Sequence, residues 1–198
     1  MQSFGFCLGR GLAGAALVTC AAAWAQQPAD CSTAPIPDRP LEITIGSEKL
    51  PTPPRVRMRQ ISTITSGDQA YDQFDVTVAD KDIFANTQLS FSVIVPKSQQ
   101  PDGRTFRKLP TRESSKQPGP QGMPEVQSWS VKDQARKLDA SHVAFTATLR
   151  VEFGKRSGGV LPGRVYLCAP GGQKSRLFGD VLADPITMVG RFEAQLPK

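Results

Sequence analysis

Val143-Ala144-Phe145-Thr146-Ala147-Thr148-Leu149-Arg150-Val151-Glu152-Phe153 puts Val143, Phe145, Ala147, Leu149, Val151 and Phe153 on one parity and Ala144, Thr146, Thr148, Arg150 and Glu152 on the other. Successive side chains of an extended strand point to opposite faces, so the stretch predicts a strand with one buried and one solvated face. Downstream, Gly163-Arg164-Val165-Tyr166-Leu167-Cys168 is a shorter apolar run closed by Ala169-Pro170-Gly171-Gly172. It reads as a second core strand, with Tyr166 in the core and Cys168 available for a disulfide. Gly154 to Gly163 supplies the turn between the two.

The same period of two recurs along the chain. Leu41, Ile43 and Ile45 alternate with Glu42 and Thr44. In Arg55-Val56-Arg57-Met58-Arg59 three arginines share one face and Val56 and Met58 the other. Phe74, Val76 and Val78 oppose Asp75 and Thr77, and Leu89, Phe91, Val93 and Val95 run up to Pro96. Val126 to Val131 is short and β-like, and a final pair is expected near Leu177 to Leu182 and Ile186 to Phe192. Across Gln60-Ile61 the apolar phase slips by one before Ile64, which fits a β-bulge. Pro51, Pro53 and Pro54 lack donors and keep their segment out of regular pairing. Lys132 to Ala140 is charged and reads as a helical turn or a polar loop. Seven to nine short strands spaced by Pro/Gly turns predict an all-β domain over residues 41–198. A single β-sandwich is the leading architecture and a β-barrel the alternative.

Tyr166-x-Cys168 resembles the tyrosine corner of immunoglobulin-like domains, where a tyrosine two residues before the second cysteine hydrogen-bonds back across a loop. The resemblance implies an immunoglobulin-like sandwich and no function. It departs from that pattern at Cys31, which precedes the first strand, and in lacking a tryptophan at the usual distance, since Trp129 lies far downstream. A Cys31–Cys168 bridge would therefore tie the N-terminal lead-in to a core strand.

Residues 1–25 combine Arg10, an apolar run from Gly11 to Ala23 and the small-x-small triplet Ala23-Trp24-Ala25. That is the pattern of a secretory signal peptide cleaved after Ala25, which places the chain in a bacterial periplasm or outside the cell. Leu17-Val18-Thr19-Cys20 also resembles a lipobox, so a lipoprotein acylated at Cys20 is the alternative. Residues 26–40, rich in Pro, Ala and Asp, form an irregular lead-in. Of the four cysteines only Cys31 and Cys168 survive cleavage, and in an oxidising compartment they make one disulfide. Closing so long a loop stabilises the fold by roughly 4 to 5 kcal/mol in the chain-entropy model. Losing Arg10 takes the formal net charge from +6 to +5, too little for a nucleic-acid footprint. No later apolar run has the length of a transmembrane segment.

Two surfaces are candidates for function. Residues 96–125 hold Pro96, Pro101, Pro110, Pro118, Pro120 and Pro124 among many cations. A loop of that length inside a compact domain is usually functional or disordered, and Phe106 and Leu109 could form a short strand or a contact patch within it; Arg104, Phe106, Arg107, Lys108, Arg112 and Lys116 are its candidate contact residues. The second is the Arg55/Arg57/Arg59 stripe, whose guanidiniums recur about every 7 Å along one strand face. They could grip carboxylate, phosphate or sulfate bidentately, or simply keep an edge soluble.

Catalytic chemistry is harder to assemble. His142 is the only histidine, and its neighbour Ser141 would point to the opposite face, so no Ser/His/Asp triad forms. Zinc lacks ligands. Copper at His142 with Met58, Met123 or Met188, and calcium at Asp72, Asp75, Asp80 and Asp82, both lack the ligand spacing those ions need. The expectation is an exported, non-enzymatic binding protein without metal or cofactor, its partner an unknown protein or an anionic envelope ligand. One alternative is a subunit of a pilus or secretion assembly joined by strand addition through Ile186 to Phe192. The other is a hydrolase or lyase acting on an extracellular polymer through two of Asp72, Asp75, Asp80, Asp82 and Glu152.

Overall fold

The computed structural model describes residues 31–50, 54–80, 86–109, 125–135, 138–140, 147–175, 179–182 and 184–197. Among them there is no helix, and thirteen strands carry the fold. They are β1 (Glu42–Ile45), β2 (Glu48–Lys49), β3 (Arg55–Ser66), β4 (Gln69–Ala79), β5 (Thr87–Pro96), β6 (Thr105–Lys108) and β7 (Val126–Asp133). The remainder are β8 (Leu138–Ala140), β9 (Thr148–Phe153), β10 (Val160–Ala169), β11 (Gln173–Ser175), β12 (Gly179–Leu182) and β13 (Ile186–Gln195). The all-β expectation holds. The count exceeds seven to nine because β2, β6, β8 and β11 are only two to four residues long, and ladders that short leave little local pattern to read.

Eleven of the strands form one hydrogen-bonded sheet, in the order β6-β9-β10-β13-β3-β4-β5-β7-β8, with β1 and β2 branching from β13. The sheet is open rather than closed into a barrel. Val143 to Thr146 of the strongly alternating segment lie outside the described residues; the rest of it pairs with the Tyr166 run, Val151 opposite Val165 and Leu149 opposite Leu167. The last two segments do not pair with each other: β12 makes a small separate sheet with β11, and β13 runs antiparallel to β10 over its whole length. Within Lys132 to Ala140 there is no helical turn among the described residues: Lys132 and Asp133 continue β7 and pair antiparallel with Asp139 and Leu138 of β8.

One apolar cluster joins the two arms of the sheet. Val56, Met58, Phe74, Val76, Phe91 and Val93 come from one arm, Phe106, Val151, Phe153, Val165 and Leu167 from the other. The free ends of the sheet approach each other where the Glu125 carboxylate accepts the Arg107 backbone N–H at 3.1 Å. Glu125 itself continues the other arm, its carbonyl accepting from Ile94 N–H. Burial raises the Glu125 pKa, opposed by that N–H and by the Arg107 and Arg104 charges. The anticipated bulge lies where β3 slips against β4 between Gln60 and Ser62, leaving Ile61 46% exposed.

Three aromatic rings brace the β6-β9-β13 region edge to face: Phe106 with Phe153 at 5.8 Å and Phe153 with Phe192 at 6.0 Å. Gly163 lies between Phe153 and Phe192 in register, and a Cβ there would come within 2.4 Å of the Phe192 ring. The glycine is what lets the two rings meet across β10. Of the two readings open for Phe106, the short strand holds and the contact residue does not: it is a core residue at 3% exposure, and Lys108 follows it inward at 6%. Both belong to a strand of the sheet, so the excursion from 96 to 125 is not one loop. Arg112 and Lys116 lie outside the described residues.

Tyr166 also corrects the reading. Val165 and Leu167 face the core, so period two sends Tyr166 and Cys168 to the other side. There the tyrosine is half-buried beside Arg39, its pKa raised by burial. Cys168 is buried on that outer side because the lead-in lies over it. Cys31 and Cys168 are bridged with Cα atoms 5.7 Å apart, and Cys31 N–H donates to Thr148 Oγ1 at 2.8 Å. The lead-in then crosses to β13, where Arg191 N–H donates to Arg39 O at 2.8 Å. It passes so close to Gly190 (φ 130°) that a Cβ there would sit 2.5 Å from the Pro40 carbonyl.

Two outcomes follow. Phe106→Ala should cost roughly 3 to 5 kcal/mol in urea unfolding, the cost of a vacated aromatic site; a mere contact residue would cost close to nothing. Cys168→Ser should lower stability by roughly 4 kcal/mol by releasing the 137-residue separation, with the far-ultraviolet β spectrum retained below the lowered midpoint.

Candidate functional site

A cleft of about 1010 Å³ opens where the lead-in, β3, β10 and β13 meet. Its origin is a fork in the pairing. One edge of β13 belongs to β10, while the other serves β1 from Ile186 to Val189 and then β3, in parallel, at Ala194 and Gln195. Between those two partners the edge of β13 around Arg191 to Glu193 meets only the lead-in among the described residues. The gap becomes the cleft. Ile186 to Phe192, read as a strand for addition to another molecule, is therefore the middle of the sheet and not an edge.

Four arginines line the cleft: Arg55 and Arg57 from β3, Arg164 from β10 and Arg191 from β13. All are exposed positions on the outer side, because their neighbours Val56, Val165 and Phe192 take the core side. Three carboxylates stand among them, Asp38, Glu152 and Glu193. Glu152 is held from both sides, by Arg150 and by Arg164, each at 2.6 Å. Asp38 and Arg191 pair at 3.3 Å with most of both side chains in water. The apolar part of the lining comes from Pro40, Pro54 and Pro162 with the edges of Phe153 and Phe192.

Two of the three stripe arginines thus contribute to a concavity. Arg59 does not: it sits opposite Asp75 on β4. Burial raises the Asp75 pKa, while the Thr77 hydroxyl and the Arg59 charge oppose that. Of the loop candidates, Arg107 occupies an outer position directly opposite Arg150, and Arg104 hydrogen-bonds Gln99 in the turn before β6. Burial alone lowers the Lys108 pKa.

The acidic candidates are structural. Asp72 accepts Ser98 N–H at 2.9 Å and the Thr63 hydroxyl at 2.7 Å, which anchors the chain as it leaves β5. Asp80 accepts Asn86 N–H at 3.0 Å. Only Glu152 of that set reaches the cleft, so the carboxylate pair a polymer hydrolase needs is not assembled from it among the described residues. Asp82, Ser141, His142 and Met123 lie outside them, and Met58 and Met188 are core residues.

Arg164, Arg191, Asp38 and Glu193 were not singled out from the sequence. Arg164 was signalled only as an outward position beside Val165, and nothing local says that Arg191 stands opposite it. No protein family, curated protein or solved structure matches the chain.

The Asp72 anchor has a pH signature. The Ser98 N–H, then the Thr63 hydroxyl, hold its pKa below the ordinary 3.8. A depressed acid stabilises above its unfolded pKa and loses that contribution as pH falls through the folded value. Asp72→Asn should therefore cost roughly 1 to 3 kcal/mol at neutral pH, and the gap from wild type should shrink in urea titrations below about pH 4. A gap that persists unchanged in acid would refute it.

Proposed function

We propose that the protein is an exported, non-enzymatic binding domain that holds an anionic group of its ligand in the arginine-lined cleft. The observation that carries the reading is the convergence of Arg55 and Arg57 on one wall with Arg164 and Arg191 on the other. Guanidiniums suit this work because each keeps a fork of donors that matches a carboxylate. Concave sites with an apolar floor and a few convergent charges are where small ligands bind. Export is supported by the reading of residues 1–25 and by the Cys31–Cys168 bridge, which is compatible with an oxidising extracellular compartment. No helix among the described residues is long and apolar enough to cross a membrane.

The test is backbone amide NMR on the oxidised protein, titrated with millimolar galacturonate and inorganic phosphate. Shifts should cluster at Arg55, Gly154, Arg164 and Arg191 and vanish in the double variant Arg55→Glu, Arg57→Glu, which should keep the wild-type unfolding midpoint within about 0.5 kcal/mol because both sites are exposed. Shifts absent from the cleft, or unchanged in the double variant, would overturn the reading.

A further inference from the structure

We infer that the ligand is a linear acidic polysaccharide lying across the strands of the outer face. This rests on the cleft being an anion site and extends it in both directions. The cleft arginines are the middle of a longer band: Arg107 on β6, Arg150 on β9, Arg164 on β10, Arg191 on β13, and Arg55 with Arg57 on β3. Those five strands are consecutive neighbours, so the band spans four strand spacings, about 19 Å. Every one of these side chains is on the side away from the core, as shown by the burial of Phe106, Val151, Val165, Phe192 and Val56 beside them.

The band is electrostatically strained in the free protein. Arg107 stands directly opposite Arg150, and Arg164 directly opposite Arg191. Like charges opposite one another destabilise a sheet, which natural pairs normally avoid. Glu152 relieves part of this by bridging Arg150 to Arg164, and Asp38 pairs with Arg191. Glu193 adds a carboxylate in the cleft, and Glu125 adds one whose charge is felt by Arg107. A chain of regularly spaced anions laid over the band would meet its guanidiniums in series, which raises avidity with no new kind of contact.

The choice of a saccharide over other polyanions comes from the cleft's apolar lining. Pro40, Pro54 and Pro162 and the edges of Phe153 and Phe192 offer surface to the C–H faces of sugar rings, which a polyphosphate lacks. The lead-in bounds the track on one side through Asp38, Pro40 and Leu41, so a flexible chain fits better than a broad folded partner.

Oligogalacturonates of increasing length, titrated into the full oxidised protein, test this. Apparent affinity should rise at least tenfold from the monomer to a chain that spans the band, then level off, and should fall with added salt. Arg107→Ala, at the far end from β3, should remove most of that gain and leave the monomer's cleft shifts unchanged. Affinity that is independent of length, with monomer shifts intact, would defeat the polymer inference and leave the cleft reading standing. A polyphosphate of equal length binding more tightly would defeat the saccharide assignment. Loss of cleft shifts with the monomer would instead count against the anion site itself.

Discussion

Strand β13 has two edges, and three strands claim them. β10 takes one edge for ten consecutive pairs, and β1 and β3 divide the other. Backbone donors and acceptors in a sheet interior must be paired, so the point where β1 leaves and β3 has not yet arrived needs another partner. The lead-in supplies it through Arg39 and Pro40, and Gly190 is the residue that lets it come close enough. From that fork follow the path of the lead-in, the burial of the disulfide beneath it and the cleft that remains open.

The two faces of the sheet are governed by different physics. The inner face is one continuous apolar cluster, stabilised by area removed from water. On the outer face charge decides, and there the arrangement is less settled: one glutamate serves two arginines, and two arginine pairs face each other across ladders. Exposed ion pairs contribute little to stability, so these groups can be disposed for a ligand at small cost to the fold. Glu125 does a related job at the sheet's free end. By taking the outward Arg107 N–H it occupies a donor that would otherwise invite another strand.

How much could be read beforehand differs between these faces. Phe74, Val76, Val78, Leu149, Val151 and Phe153 are core residues as their alternation requires, and even the slip at Gln60 was visible as a change of phase. Alternation also put Arg55, Arg57 and Arg59 outward correctly. Tyr166 obeys the same alternation, and placing it in the core set hydrophobic character above parity; at Phe106 the proline-rich surroundings left a four-residue strand undistinguished from a contact patch. The cleft itself had no local signal. Its arginines come from positions as far apart as Arg55 and Arg191, and a pairing register between strands so distant along the chain is not written in either one.

By itself, the sequence determined that this chain is all-β, which positions face inward and that Cys31 and Cys168 are placed to bridge, because side-chain period and cysteine number are local or arithmetic properties. Only the tertiary structure decided which arginines stand together. Strand order and register are set by the competition of all strands for a limited number of backbone edges, and that competition made β13 the centre of the sheet and left an arginine-lined gap beside it.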